Sequence, residues 1–473
     1  MNLTEQQKTI VDYCIDDSNN RLVLIDSVAG SGKTTLLKAI SNNVKHTNGL
    51  YLAYNKSIAD SSKKSFPKTT DCRTTHSIAY RATVKQFGLK VGYFTTRNIK
   101  ENIGYDSKWM LVEDIREFCL SAYIHYEDYA EATGRTNTEL ANIYLNKMQL
   151  GIIESTHDFY LKLFHILLAS GDIEVSPYDF IMLDEAGDVN AVTLEIFKLL
   201  PAKLKIAVGD PYQNIYVFNH TINCFNILKD EGETFVLSKS FRVPEYVAEK
   251  VEVFCKKYLN PNMEFIGVPL TRKTIETVGY IARTNGNLID KMIDLHRQGV
   301  QYGLVRKASE IFKVPLMVAS FKYQGNILDH TYKHIQEDID NWYENKDNLK
   351  IAYKTVYTYI RTKYSDDVAI VNAINLVIKH GKSEIFDAYA IAKKYENKKQ
   401  SYMLLTAHSS KGLEFDEVVL GSDMNTMLTP HIEKYKETGV IAEESRESFN
   451  LYYVACTRAL VRILNAEHIG III

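Results

Sequence analysis

Three features of the sequence predict an α/β fold. An apolar run, Leu22-Val23-Leu24-Ile25, reads as a buried strand, and it feeds through Ser27-Val28-Ala29-Gly30-Ser31-Gly32-Lys33-Thr34-Thr35 into the helical text Leu36-Leu37-Lys38-Ala39-Ile40. A second apolar run, Tyr178-Asp179-Phe180-Ile181-Met182-Leu183, ends in the carboxylate pair Asp184-Glu185. Strand text alternates with helical text again at Lys205-Ile206-Ala207-Val208, Val278-Gly279-Tyr280-Ile281-Ala282 and Tyr402-Met403-Leu404-Leu405.

The first of these is the strand-loop-helix context of a phosphate-binding loop. Gly30 and Gly32 let backbone N–H groups turn inward around phosphate oxygens, and the helix N-terminus adds a favourable dipole. Lys33 places a charge near the β- and γ-phosphates, and the Thr34 hydroxyl suits Mg²⁺. The stretch departs from the pattern G-x-x-x-x-G-K-[ST] at its first position, where Ser27 stands. Ser is small, and Gly30 supplies another flexible point; taken alone, a glycine-rich turn without a ligand is the alternative. Two carboxylates at the carboxyl end of a buried strand are costly without a cation, and this edge is where α/β sheets carry ligand chemistry. The expected roles are Asp184 on Mg²⁺ through water and Glu185 polarising an attacking water. An acidic turn is the other account of the pair, and an upstream phosphate loop weighs against it.

At 473 residues the chain is too long for one core and predicts roughly two to four domains. With 45% hydrophobic and 24% charged residues the composition is that of an ordinary globular protein. A net charge of −2 excludes a global basic field, so a nucleic-acid partner needs locally clustered Lys and Arg. Cys14, Cys72, Cys119, Cys224, Cys255 and Cys456 are scattered without a C-x-x-C pair, which argues against a zinc site or disulfide framework and suits a reducing interior. No basic-then-apolar leader and no apolar stretch of membrane-spanning length occurs, so the expectation is a cytoplasmic chain with no membrane partner.

In chain order, Leu3-Thr4-Glu5-Gln6-Gln7 leads a helix ending near Asp16. The Gln7 amide offers a donor and an acceptor suited to an adenine edge, while a solvated helix-face Gln is the simpler account. Gly49-Leu50-Tyr51-Leu52-Ala53-Tyr54 is a strand followed by Asn55-Lys56 and a polar helix, and Asp71-Cys72-Arg73-Thr74-Thr75-His76-Ser77 leads into another helix. Residues 81–151 are helical, charged and Tyr-rich, an expected insertion into a first α/β domain of 1–80 and 152–233. After Gly209-Asp210-Pro211-Tyr212-Gln213 come Tyr216 and Phe218, which project the same way if extended and would stack bases, or form a core pair. A second α/β domain, 234–304 and 401–473, is expected to open with Phe235-Val236-Leu237 and Ser240-Phe241-Arg242, with a short helical insertion at 305–400. Its later strand text runs from Tyr402 through Thr406-Ala407-His408 and Lys411-Gly412-Leu413-Glu414-Phe415 to Glu417-Val418-Val419-Leu420, and a last helix, about 447–457, carries Arg458 at its end.

This series of motifs resembles, in order and over nearly the whole chain, the superfamily 1 helicases of the UvrD/Rep kind. Tyr51-Leu52-Ala53-Tyr54-Asn55-Lys56, Thr75-His76-Ser77-Ile78-Ala79-Tyr80-Arg81 and Thr156-His157-Asp158-Phe159-Tyr160-Leu161-Lys162 are similar in particular to the helicase core of the eukaryotic F-box DNA helicases. The resemblance implies two RecA-like P-loop NTPase domains, each with a mainly helical insertion, using ATP and Mg²⁺ and binding single-stranded DNA and single-strand/duplex junctions. It implies that Gln7 reads adenine and Phe241 stacks on it, that Ala29, Gly30, Ser31, Gly32, Lys33, Thr34 and Thr35 hold phosphate, with Thr34 and Asp184 toward the metal, and that Gln213 senses the γ-phosphate. Arg242 and Arg458 become cationic partners of the transferring phosphoryl group, with Gly412 and Glu414 contacting nucleotide from the second domain. Asn55, Thr75, His76, Tyr216, Phe218, Thr406 and His408 become the DNA contacts.

The implied activity is an ATP-dependent DNA helicase translocating 3′ to 5′. Three departures bear on it. The family's Asp-Glu-Ala-Gln-Asp is Asp184-Glu185-Ala186-Gly187-Asp188 here, the Arg common after the aromatic pair is Asn219, and the last helix has lost flanking charge. Gly187 has no side chain with which to link the nucleotide site to the rest of a motor, so the alternative is a DNA-binding ATPase subunit of a larger repair or defence complex, with a nuclease or a replication or repair protein as partner and little unwinding of its own. No F-box ahead of Gln7 and no nuclease domain after Arg458 is expected.

Overall fold

Along Arg21–Ser27 (β1) the side chains alternate between two cores. Val23 and Ile25 join one apolar cluster and Leu24 the other, as a parallel strand covered on both faces requires. The same alternation continues in Gly49–Leu52 (β2), where Tyr51 faces the first cluster and Leu50 and Leu52 the second, and in Tyr178–Leu183 (β4), where Phe180 and Met182 oppose Ile181 and Leu183. With Thr70–Arg73 (β3), Ala202–Gly209 (β5) and Glu233–Leu237 (β6) these strands form a six-stranded sheet of order β3-β2-β4-β5-β1-β6, parallel at every pairing. The computed structural model describes residues 3–16, 21–44, 48–215, 221–271, 274–321, 332 and 334–472.

One face of this sheet is covered by Glu5–Ile15 (α1) and Lys33–Asn43 (α2), through Ile10, Val11, Leu36, Leu37 and Ile40. The helices Lys56–Ser62 (α3) and Thr75–Ala82 (α4) follow β2 and β3 directly. The other face is covered by Tyr105–Leu120 (α5), Tyr126–Thr133 (α6), Thr138–Gln149 (α7), His157–Ser170 (α8) and Ala191–Leu199 (α9). Leu111, Ile115, Phe118, Tyr144 and Met148 of the 81–151 stretch share one core with Phe164 of α8 and with Leu24 and Ile181 of the sheet. Lys162 is fully buried there, and its ammonium donates to the carbonyls of Ser121 at 2.7 Å and Tyr123 at 2.8 Å, closing the end of α5.

The chain divides into two units, Met1–Phe241 with Glu264–Ile266, and Arg242–Met263 with Gly267–Ile473. The boundary expected at 234 is therefore displaced. Phe235-Val236-Leu237 is a strand, but it pairs with β1, Ile25 opposite Phe235 and Ser27 opposite Leu237, and so closes the first sheet instead of opening the second.

In the second unit Val278–Ala282 (β7), Gly303–Leu304 (β8), Tyr402–Thr406 (β9), Phe415–Leu420 (β10) and Ala459–Leu464 (β11) form a parallel sheet of order β8-β9-β7-β10-β11. Asn285–Arg297 (α10) follows β7. Helices between 308 and 395 bury Ile335, Trp342, Ile360, Ile374 and Ile385 in one cluster with Tyr280, Leu304 and Leu404 of the sheet. The strand text expected to continue past Thr406 becomes one helical turn, Ala407–Ser410, because the Thr406 and Ser409 side chains cap it reciprocally. Among the described residues no helix is long and apolar enough to cross a membrane.

Candidate functional site

The loop after β1 has the backbone its glycines predict. Gly30 and Gly32 sit at φ 73° and 79°, the left-handed region that L side chains avoid. Gly32 also precedes α2 without any side-chain cap, so the first N–H groups of that helix are left for another acceptor. Ser31 Oγ is buried and has no hydrogen-bond partner in the protein, as a hydroxyl reserved for a ligand would be. Ser27 resolves the departure at the head of the loop: its hydroxyl donates to the Gly209 carbonyl at 2.7 Å and ties the loop to the end of β5. The segment after β6 braces the other side, with Val28 N–H on the Leu237 carbonyl at 3.1 Å, Ser240 Oγ on the Ala29 carbonyl at 2.8 Å and Phe241 N–H on the Gly30 carbonyl at 2.8 Å. Thr34 is exposed on the first turn of α2, with Thr35 half-buried beside it.

Lys33 meets the carboxylates that the sequence places at the ends of neighbouring strands. Its Nζ lies 3.2 Å from Glu185 Oε2. Burial opposes the Lys33 charge, but Glu185, Asp210 and Asp184 outweigh it and hold the ammonium above its ordinary pKa. Asp184 is buried, and burial together with the Glu185 charge raises its pKa, against Lys33 and the Tyr51 hydroxyl, which donates to Asp184 Oδ2 at 2.5 Å. Glu185 takes the left-handed conformation at φ 51°, strain that a non-glycine residue bears where the surroundings demand it. Gln213 is buried and donates to Asp210 Oδ2 at 2.6 Å. One ammonium facing three carboxylates leaves negative charge uncompensated. A divalent cation beside Asp184 would offset it, so this acidic set suits Mg²⁺.

Gln7 and Phe241 flank the same loop. A Cβ on Gly32 would lie 3.1 Å from Gln7 Nε2 and 3.4 Å from the Phe241 ring. Gln7 is not a solvated helix-face residue: it is buried, its Oε1 accepts from Thr4 N–H at 3.1 Å in a capping box, and its Nε2 donates to the Ser31 carbonyl at 3.4 Å. That leaves one N–H and one lone pair of the carboxamide for a base edge. Phe241 is 50% exposed beside it, an aromatic face without an aromatic neighbour among the described residues.

Gly187 has a structural reason. A Cβ there would lie 3.0 Å from the Asp210 carbonyl oxygen, and one on Gly209 would meet the amide nitrogens of Gly187 and Ala186 at 2.9 and 3.0 Å. The turn after Glu185 thus lies backbone to backbone on the turn that carries Asp210 and Gln213.

The remaining candidates fall at other positions along the sheet edges. Asn55 caps α3, accepting from Ile58 N–H at 2.9 Å. Thr75 and His76 begin α4, so all three stand at the carboxyl ends of β2 and β3, lateral to the Lys33 cluster. Tyr216, Phe218 and Asn219 lie outside the described residues. In the second unit Arg242 pairs with Glu414, Nη1 to Oε1 at 2.9 Å, and Phe415 N–H donates to the Arg458 carbonyl at 3.0 Å, which gathers these residues at the amino ends of β10 and β11. Arg458 folds back on its own helix, with Nε on the Val454 carbonyl at 2.9 Å and Nη2 on Thr457 Oγ1 at 3.0 Å. Gly412 is left-handed at φ 83° in the turn before β10. Thr406 and His408 stand instead at the carboxyl end of β9, where His408 Nε2 lies 3.5 Å from Glu447 Oε1.

Three residues of this geometry were not singled out from the sequence: Tyr51, which holds Asp184; Asp210, which holds Gln213; and Asp26, whose carboxyl is pushed up to about 7 by burial and the neighbouring Asp210. Tyr51 and Asp184 are 133 positions apart, and only the pairing of β2 with β4 joins them.

Two family profiles and two curated relatives match the chain. The family profile described as an AAA domain matches residues 7–219, and that of the UvrD-like helicase C-terminal domain matches residues 328–464. F-box DNA helicase 1 of Gallus gallus is 24% identical over 98% of this chain and 49% of its own length, and F-box DNA helicase protein 1 of Schizosaccharomyces pombe is 25% identical over 98% and 57%. The chain thus spans about half the length of these relatives. Each unit has a parallel α/β sheet, and the first carries the phosphate loop, a two-domain P-loop fold of the RecA-like type. Over nearly its whole length the chain is thus similar to the superfamily 1 helicases of the UvrD/Rep kind.

Proposed function

We propose that this chain is an ATP-driven DNA helicase that moves along single-stranded DNA from 3′ to 5′ in the cytoplasm. The observation that carries the reading is the Lys33 ammonium held against Glu185, Asp184 and Asp210 at the mouth of a loop whose glycines are already left-handed. ATP would lie with its base between Gln7 and Phe241 and its phosphates on the N–H groups that begin α2. Lys33 would neutralise the β- and γ-phosphates and exchange its bond to Glu185 for them, freeing that carboxylate to take a proton from the attacking water. Gln213, positioned by Asp210, would follow the γ-phosphate. Mg²⁺, when bound, supplies charge neutralisation on the phosphate oxygens.

By family likeness, Arg242, Arg458, Gly412 and Glu414 of the second unit would complete the charge around the phosphoryl group, so that binding and hydrolysis alternately tighten and release the two units. Asn55, Thr75 and His76 of the first unit, and Thr406 and His408 of the second, would grip the strand. Contacts of this kind read backbone and not sequence, so affinity is sequence-indifferent and salt-sensitive. Strand displacement on duplexes with a 3′ or a 5′ tail tests the reading. Unwinding from the 3′ tail supports it; unwinding from the 5′ tail reverses the polarity. ATP hydrolysis without any unwinding favours a DNA-binding ATPase subunit.

A further inference from the structure

The stretch Thr156-His157-Asp158-Phe159-Tyr160-Leu161-Lys162 has no part in the chemistry above, yet its side chains are placed with evident constraint. Thr156 caps α8 through Phe159 N–H at 3.0 Å, and Lys162 closes the end of α5. His157, the first residue of α8, is exposed, and its ring lies 6.5 Å from that of His76. Tyr160 is the wedge between them. Its ring stands edge-on to His76 at 5.7 Å and to His157 at 5.5 Å, and its hydroxyl lies 3.1 Å from His157 Nδ1.

That bond orients the His157 imidazole. When the Tyr160 hydroxyl donates to Nδ1, Nε2 carries the proton of the neutral ring and donates outward, and in the protonated ring it donates in either case. His76 Nδ1, buried and without a hydrogen-bond partner in the protein, is a second polar atom left unused by the fold. Among the described residues, the charged and titratable groups seen beside the pair are Tyr80 of α4 against Tyr160, Asp158 of α8, and Arg116 of α5, whose guanidinium reaches Asp158 at 3.9 Å. Burial lowers the pKa of His76, with Asp158 opposing and His157 adding to the shift.

We propose that His157 and His76 form a paired-imidazole seat for one backbone phosphate of the bound strand, so that strand affinity rises in mildly acidic solution. The inference rests on the nucleic-acid reading above and adds His157 as a strand contact. Rings 6.5 Å apart can flank one phosphate group, with His157 donating to it from the exposed start of α8, and protonation converts a neutral donor into a charge-assisted one. Tyr160 is a positioning residue, keeping the His157 ring in register as its charge changes.

The test is equilibrium binding of a fluorescein-labelled oligothymidylate at pH 6 and pH 8, across a salt series, for the wild type, His157→Gln and His157→Lys. The wild type is expected to bind about five-fold or more tightly at the lower pH. His157→Gln should lose most of that gain and, at pH 6 only, reduce the slope of log affinity against log salt by about 0.7, the value for one neutralised single-strand phosphate. His157→Lys should bind as tightly at pH 8 as at pH 6. A folded His157→Gln protein with the wild-type pH dependence and salt slope overturns the proposal and leaves the helicase reading in place. A wild type that binds no strand at either pH overturns both.

Discussion

Gly209→Ala is the substitution to which the geometry of the nucleotide site assigns the clearest cost. The added methyl would sit 2.9 and 3.0 Å from the amide nitrogens of Gly187 and Ala186 and 3.2 Å from the Phe225 ring. Two of those three neighbours are backbone in the turn after Glu185, so relief requires the turn to move bodily away from β5. Overpacking against main chain costs about 3 kcal/mol, the upper end of the range for small-to-large changes. For a domain of this size that lowers the thermal midpoint by on the order of 6–12 °C. Gly187→Ala is the internal control. Its methyl meets one atom tightly, the Asp210 carbonyl oxygen at 3.0 Å, and φ at Gly187 is not in the left-handed region. A shift of a few tenths of an ångström relieves it, and the lost freedom of the unfolded glycine offsets part of the cost, leaving roughly 1 kcal/mol or less. Scanning fluorimetry of both variants, with ATP hydrolysis followed in parallel, measures the contrast. Equal midpoints for Gly209→Ala and the wild type would refute the backbone contact between the two turns, and with it the account of why this chain has Gly187.

Three further outcomes follow from the same cluster. Glu185→Gln should bind ATP and hydrolyse it about 10²–10⁴-fold more slowly, the range for loss of a general base, and undiminished turnover would remove Glu185 from that role. Asp26→Asn tests the raised carboxyl. Its folded pKa, near 7, lies above its unfolded value, so the stability it contributes is present at low pH and lost as pH rises from about 4 through 7. The Asn variant should therefore gain on the wild type by on the order of 1 kcal/mol or more at pH 8 and by much less at pH 5; an equal difference at both would contradict the shift. Tyr51→Phe withdraws a donor from buried Asp184 and should cost about 1–2 kcal/mol in unfolding free energy, while an unchanged midpoint would show that the bond carries no net stability.

What was legible in the sequence was local. The phosphate loop could be read because its demands fall on consecutive positions: glycines where φ is positive, a lysine at the helix start, an apolar strand before it. The Asp184-Glu185 pair could be read because a buried strand ends there. What was missed depends on pairing between distant segments. Phe235-Val236-Leu237 was recognisable as a strand, but nothing in three residues says which sheet it joins, and β1 takes it. Thr70–Arg73 has a single apolar side chain, Cys72, and as the edge of the first sheet it needs no more. Ala459–Leu464 buries Ala459, Val461 and Ile463 in strict alternation, a signal that was available and overshadowed by the helix ending at Cys456. Gly187 looked like a loss when read as a missing side chain. In the fold it is the position where two backbones come within contact of each other.

The most direct measurement of the central claim is ATP hydrolysis by the purified chain with and without single-stranded DNA, using Lys33→Ala as the blank. The account predicts turnover strongly stimulated by DNA in the wild type and absent from Lys33→Ala, whose DNA binding is largely intact. Turnover in Lys33→Ala equal to that of the wild type would contradict the site. Wild-type turnover indifferent to DNA would contradict the motor.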